Sequence, residues 1–355
     1  MKIVTVVGAR PQFIKLAPLI EPMAGRFESV LVHTGQHYDE GMSDQFFHEL
    51  RLPRPQHHLG VGSAPHGAQT GRMLERVEEI LLAESPDVLL VFGDTNSTLA
   101  GALAAAKLHI PVAHVEAGMR CFDMRVPEEV NRVLTDHLAR WNFASCQTAV
   151  DNLARENITG GVHLVGDIMV DSLRRTLAGP PAEPAPEGPY LLLTMHRAEM
   201  TPEGLEVILT VLREHGQPVL FPCHPRTLQI LRQTGLDRLL EDGPVRLLPP
   251  AGHRQILAWL ERASLVLTDS GGLQKEAYLL KTPCLTLREE TEWVETVAAG
   301  WNTLVGHDRA RILAGLTTRP PAAHPELYGD GLTAERILDV LAHEAVPSKR
   351  AKETV

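Results

Sequence analysis

Strand-like runs rich in Val, Leu and Ile alternate with helix-period segments along most of the chain, and this alternation is what most narrows its choice of fold. Lys2–Val7, 29–33, 87–92, 111–115 and 162–165 read as strands, with 98–108 and 128–139 among the helical segments between them. The pattern halts at 179–189, GPPAEPAPEGP, where five prolines in eleven residues exclude a helix or strand interior. It resumes with 190–194, 218–222, Val245–Leu248, Leu265–Thr268 and 283–287, each followed by a helical stretch such as 254–262 or 273–280. Parallel strands need helical crossovers, so the expectation is an α/β protein of two Rossmann-like, doubly wound domains. These are placed at 1–178 and 190–332, joined by a linker at 179–189, with a helix at 333–346 packing back on the first domain and a disordered tail at 347–355. A length of 355 residues fits two domains of about 150 each.

The charge balance, 34 Lys+Arg against 44 Asp+Glu, gives a net −10, which argues against nucleic acid or an anionic membrane as partner. An anionic ligand must then be held by local groups. Cys121, Cys146, Cys223 and Cys284 lie far apart with no CxxC pair, so they read as buried thiols rather than a zinc or disulfide framework. The apolar run at the N-terminus stops at Gly8, and no run approaches bilayer length. A cytoplasmic protein is expected.

Ligands of open parallel sheets bind beyond the carboxyl ends of the strands. With two such polar rims, the sheets are expected to face each other across a cleft. In LVLTDSGGLQKEAYLL, a strand turns through Asp269 and Ser270 into Gly271 and Gly272 at a helix start, where unpaired amides and the dipole suit a phosphate. Glu276, four residues after Gly272, suits the two hydroxyls of a ribose. The alternative is a plain serine cap with a surface glutamate. In GARPQFIK, Arg10 and Lys15 place two cations at the first rim, suited to a diphosphate, or else simply exposed. The loop is neither a Walker A motif nor GxGxxG.

Three carboxylates, Asp94, Glu116 and Glu128, follow first-domain strands or open the neighbouring helix. Helix capping is an equally natural use for Asp94, and Glu128 and Glu129 after Pro127 complement a helix dipole. Together, opposite a phosphate site, the three suggest acid/base work. His196 and Arg197 directly follow the first strand of the second half, where a histidine can donate to a phosphate or balance a leaving group's charge. No metal-ligand spacing such as HExxH occurs, and His114-Val-Glu116 lacks the PCxxC of a zinc deaminase, so neither metal nor cofactor is expected.

Taken in order, GARPQFIKLAPL, TGQHYDEGMSDQFF, GDTNSTLAGALAA, HVEAGMRCFDMRVPEEVNRVLTDHLA, TMHRAE, PCHPRT and TDSGGLQKEAYLLKTPCLTLREETEW resemble the non-hydrolysing UDP-N-acetylglucosamine 2-epimerases, from residue 8 to about residue 305. The resemblance implies a GT-B fold and reversible conversion of UDP-GlcNAc to UDP-ManNAc through elimination of UDP to 2-acetamidoglucal and its re-addition. It makes Asp94, Glu116 and Glu128 the catalytic carboxylates, with His196 facing the diphosphate. Arg10, Ser270, Gly271, Gly272 and Glu276 would hold UDP, with Lys15 nearby. It also implies a homodimer; bacterial members of the family bind a second substrate molecule as allosteric activator at positions matching Gln36, Arg197 and His224, and here Asp39 and HPRT depart from that pattern. Thr291-Glu292-Trp293-Val294-Glu295 departs from a Thr-Glu-Arg-Pro-Glu pattern, and His253 stands where an aromatic near the uracil is common. RCFDMRVPEE also resembles the branch that epimerises UDP-2,3-diacetamido-2,3-dideoxy-glucuronic acid. The rivals of another class are a GT-B glycosyltransferase and a nucleotide-sugar sensor; a sensor has no use for a carboxylate trio, and a transferase typically needs one base.

Overall fold

The computed structural model describes residues 1–36, 47, 50–179, 186–195 and 200–345. Most of the linker and the whole tail at 347–355 lie outside them. The chain divides into two units: Met1–Arg175 with the chain from Glu326 onward, and Thr176–Pro325.

The first unit holds β1 (Lys2–Val7), β2 (Glu28–His33), β3 (His57–His58), β4 (Val88–Phe92), β5 (Val112–Ala117), β6 (Trp141–Ala144) and β7 (Val162–Leu164). They form one sheet in the order β3-β2-β1-β4-β5-β6-β7, parallel throughout. Its helices are α1 (Arg10–Met23), α2 (His66–Glu84), α3 (Asn96–Lys107), α4 (Pro127–Leu138), α5 (Gln147–Arg155) and α6 (Ile168–Leu177). Alternate residues of each strand face opposite layers. Ile3, Val7, Leu90 and Phe92 pack with Phe13 and Leu16 of α1, while Val4, Val6, Leu89 and Val91 pack with α2 and the alanines of α3. Burial on both faces is why these strands read as continuous apolar runs.

The second unit repeats the plan with β8 (Leu191–Thr194), β9 (Val219–Pro222), β10 (Val245–Leu248), β11 (Leu265–Thr268), β12 (Cys284–Thr286) and β13 (Asn302–Leu304), ordered β10-β9-β8-β11-β12-β13 and again parallel. Its helices are α7 (Pro202–His215), α8 (Pro225–Thr234), α9 (His253–Arg262), α10 (Gly271–Leu279), α11 (Val294–Ala298) and α12 (Arg309–Thr317). The last helix, α13 (Thr333–Glu344), belongs to the first unit, where Ile337, Leu338 and Leu341 join the layer of α1.

The α/β expectation with two doubly wound sheets holds, and the ten strands read from sequence form within two residues of their expected bounds. Among the described residues three more strands form, β3, β6 and β13, each two to four residues long. In both sheets the strand order reverses beside the first strand, between β1 and β4 and between β8 and β11. The loops at the carboxyl ends of those strand pairs are where such sheets bind ligands.

Cys146, Cys223 and Cys284 are buried, and burial pushes the Cys223 and Cys284 thiols up to about 11 and about 12. Such thiols stay protonated and unreactive at neutral pH. Among the described residues no helix is long and apolar enough to cross a membrane.

Candidate active site

At the first switch point, the GARPQ loop is held by its own glutamine. Gln12 Oε1 accepts the amides of Gly8 (2.7 Å) and Ala9 (3.1 Å), and its Nε2 donates to Phe92 O at 3.1 Å. The chain passes here without room for a side chain: a Cβ on Gly8 would lie 2.0 Å from Thr34 Oγ1 and 2.2 Å from Ser97 Oγ. Arg10 opens α1 and is exposed. Lys15, one turn on, is buried and paired with Glu116.

Glu116, the penultimate residue of β5, has φ of +69°, in the left-handed region that a residue with a Cβ rarely adopts, within a register shift between Val115 and Ala117. This costs about 1–3 kcal/mol and re-aims the side chain out of the strand's alternation. Gly93 leaves room beside the Lys15–Glu116 pair, since a Cβ there would sit 3.0 Å from Lys15 Nζ and 3.6 Å from Glu116 Oε1.

Asp94 does not cap the helix that follows. Thr95 does so, accepting from Thr98 N at 3.3 Å. Asp94 Oδ2 instead receives Arg132 Nη2 at 2.6 Å and Nε at 3.0 Å. The Arg132 Nη1 donates to Glu129 Oε2 at 2.7 Å. Burial alone would lower the guanidinium pKa, but Asp94 and Glu129 hold it above its ordinary value. Glu129, also buried, is held below the usual carboxylate range by Cys121 N–H, Arg132 and Phe122 N–H.

The two adjacent glutamates therefore differ: Glu129 is buried in this network, while Glu128 stands exposed in the first turn of α4, four residues before Arg132. Beneath them, Asp136 is fully buried among His114 Nδ1 (2.7 Å), Arg120 Nη1 (2.7 Å) and Gly118 N (3.0 Å). His114 Nε2 in turn donates to Gly93 O at 2.7 Å, tying the support to the loop that carries Asp94.

In the second unit, Ser270 caps α10, its Oγ accepting from Leu273 N at 3.4 Å, so the cap reading is satisfied. Thr268 fixes the approach by accepting Ser270 N–H at 3.0 Å and meeting Thr194 at 2.7 Å. Trp293 Nε1 donates to Gly271 O at 2.8 Å, with the Lys275 ammonium 4.1 Å over its ring. A Cβ built on Gly272 would meet nothing within 4 Å, so the helix start is open to a ligand on that side. Glu276 is not a surface glutamate: it is buried and bonded to His253 Nε2 at 2.6 Å.

Of the candidate activator positions, Gln36 is buried with Oε1 accepting from Ser97 N (2.9 Å) and Oγ (2.7 Å), and His224 is exposed at the start of α8. Arg197, and with it His196, lies outside the described residues. Among the described residues no cluster of three or more His, Cys, Asp or Glu is arranged to hold a metal.

A family model described as UDP-N-acetylglucosamine 2-epimerase matches residues 22–342. The chain belongs to that family. A Methanococcus maripaludis relative, named UDP-N-acetylglucosamine 2-epimerase homolog, is 48% identical over 354 residues, covering 96% of this chain and 99% of its own length. The UDP-2,3-diacetamido-2,3-dideoxy-D-glucuronate 2-epimerase of Pseudomonas aeruginosa is 43% identical over 357 residues, covering 96% and 99%. Among solved structures, Methanocaldococcus jannaschii UDP-GlcNAc 2-epimerase in complex with UDP-GlcNAc and UDP superposes with a TM-score of 0.84 at 40% identity, covering 96% of this chain and 99% of that one.

Within this epimerase-family chain, reading the sequence missed Arg132, the distinct role of Glu129, the Asp136 network and the Trp293 brace. For Arg132 a signal existed: it lies three and four residues after the paired glutamates, on one helix face. Trp293 offered none, because its hydrogen bond to Gly271 spans 22 residues of sequence.

Proposed function

We infer that this protein is an isomerase, a non-hydrolysing UDP-GlcNAc 2-epimerase interconverting UDP-GlcNAc and UDP-ManNAc. The observation that carries the reading is the pair of carboxylates at the carboxyl ends of the neighbouring strands β4 and β5: Asp94 on Arg132 and Glu116 on Lys15. C2 of an acetamido sugar is weakly acidic, so C1–O cleavage leads, its electron pair leaving with UDP. Carboxylates stabilise the positive charge developing at C1. A base then takes the C2 proton, leaving 2-acetamidoglucal. Delivery of a proton to the opposite face of C2 and return of the UDP oxygen to C1 complete the epimerisation.

Asp94, Glu116 and Glu128 supply the base, the acid and the charge at C1. Arg10, Ser270, Gly271, Gly272 and Glu276 hold UDP, and His196 assists its departure. Lys15 balances the charge of Glu116. No metal or nicotinamide is part of this scheme. A homodimer acting in the cytoplasm is the expected form, with the oligomer read by analytical ultracentrifugation.

UDP-GlcNAc incubated alone with the protein in D2O is expected to gain deuterium at C2. Complete retention of protium, with binding demonstrated, overturns the reading in favour of a transferase or a sensor. Glu276→Ala is expected to weaken UDP by about 1–3 kcal/mol, the worth of a lost charge-assisted bond, measured by calorimetry. Unchanged affinity would reassign Glu276 to holding His253. The Pseudomonas relative, at 43% identity, favours a second reading with the diacetamido uronic acid as the sugar. Comparing turnover of the two UDP-sugars decides between them.

A further inference from the structure

Asp94 is held from two directions by consecutive residues of one helix. Asn131 Nδ2 donates to its carbonyl at 2.9 Å, and Arg132 donates twice to its carboxylate. Both Arg132 bonds end on Oδ2; neither goes to Oδ1, and the Asp94 side chain keeps 30% exposure while Arg132 keeps 9%. The guanidinium is therefore a buried bracket behind a carboxylate that still reaches solvent. Its far side is closed by Glu129, which is 1% exposed. The Glu129 oxygens are themselves fixed by the amides of Cys121 (3.0 Å) and Phe122 (2.8 Å). Phe122 has φ of +59°, a left-handed conformation that turns its amide toward Glu129 at a cost in strain.

On the epimerase reading above, we propose that Arg132 is the positioning residue of the reaction and Glu129 its anchor, together fixing Oδ1 of Asp94 as the oxygen presented to the sugar. The adjacent glutamates then divide the work: Glu128 faces the substrate and Glu129 never touches it. A carboxylate that exchanges a proton at carbon must meet the C–H bond along one line. A misplacement of about 1 Å costs on the order of a hundredfold in rate without changing how UDP is held. A lysine at 132 preserves the charge but not the planar fork that reaches Asp94 and Glu129 at once.

The test compares wild type, Arg132→Lys, Arg132→Ala and Glu129→Gln in steady-state epimerisation, UDP calorimetry and thermal melting. Arg132→Lys is expected to melt cooperatively, bind UDP within about threefold of wild type and lose kcat by about ten- to a hundredfold with KM little changed. Arg132→Ala is expected to recover at least about tenfold in kcat with added guanidinium ion and not with methylammonium, because only the fork restores both bonds. Glu129→Gln, whose amide group faces a backbone donor, is expected to lose kcat in the same direction by a smaller factor. A folded Arg132→Lys with wild-type kcat, or equal recovery of Arg132→Ala by both cations, overturns the inference and leaves the epimerase reading standing. A wild-type protein inert towards both UDP-sugars overturns that reading, and this inference with it.

Discussion

Glu116→Gln is expected to lower turnover by about a hundredfold or more while leaving UDP affinity within a few-fold, and Asp94→Asn to do the same. Both substitutions preserve shape and remove only the charge. Glutamine at 116 keeps the strained backbone that aims the side chain and still offers an oxygen to Lys15, so packing is unchanged and the loss reports chemistry. The change removes a group that takes or gives the C2 proton, and such groups contribute typically about 10²–10⁴-fold. Steady-state kinetics with calorimetric UDP titration check this. Activity equal to wild type in either variant would remove that carboxylate from the mechanism.

The second large effect falls on stability. Asp136→Ala is expected to destabilise the protein by about 3–5 kcal/mol, because it strips the buried Arg120 and His114 of their common carboxylate. For a unit of roughly two hundred residues that corresponds to about 6–20 °C in melting temperature by scanning calorimetry. Burial by itself would raise the Asp136 pKa, but His114 and Arg120 hold it below the ordinary carboxylate value. The unfolded state thus binds the proton first as pH falls. The stabilisation is complete at neutral pH and is lost below about pH 4, so the variant should also lose less stability in acid than wild type. A melting point within about 2 °C of wild type would show that Arg120 is satisfied by Glu156 alone, which it meets at 2.7 and 2.8 Å.

Much of the candidate site was legible in the order of residues because of where parallel sheets bind ligands. Strands of four or more buried apolar residues announce their ends, and polar residues at those ends, such as Asp94 and Ser270, stand out. β3 has only two residues, while β6 (WNFA) and β13 (NTL) carry Asn142 and Asn302, which break the apolar run that marks strands of similar length. For Asp94 the residue order left capping and chemistry equally open. The choice was made by Thr95, whose hydroxyl takes the cap and frees Asp94 for Arg132. For Glu276 the residue order offered a ribose ligand beside a phosphate site or, as the alternative, a surface glutamate. It proved buried against His253, a residue 23 positions earlier.

Local order alone determined the α/β class, the two doubly wound halves, the helix start at Ser270 and the membership of Asp94, Glu116 and Glu128 in a polar rim. Periodicity, turn chemistry and helix starts act over a few residues, so they are written in the chain directly. Which of Glu128 and Glu129 is buried, which cation pairs with which carboxylate, and that Gln12 bonds to its own loop and Gln36 to Ser97 were decided only by tertiary structure. Those outcomes depend on groups 3 to 101 residues apart competing for the same hydrogen bonds. Burial decides that competition, because it makes an unpaired charge too costly to leave.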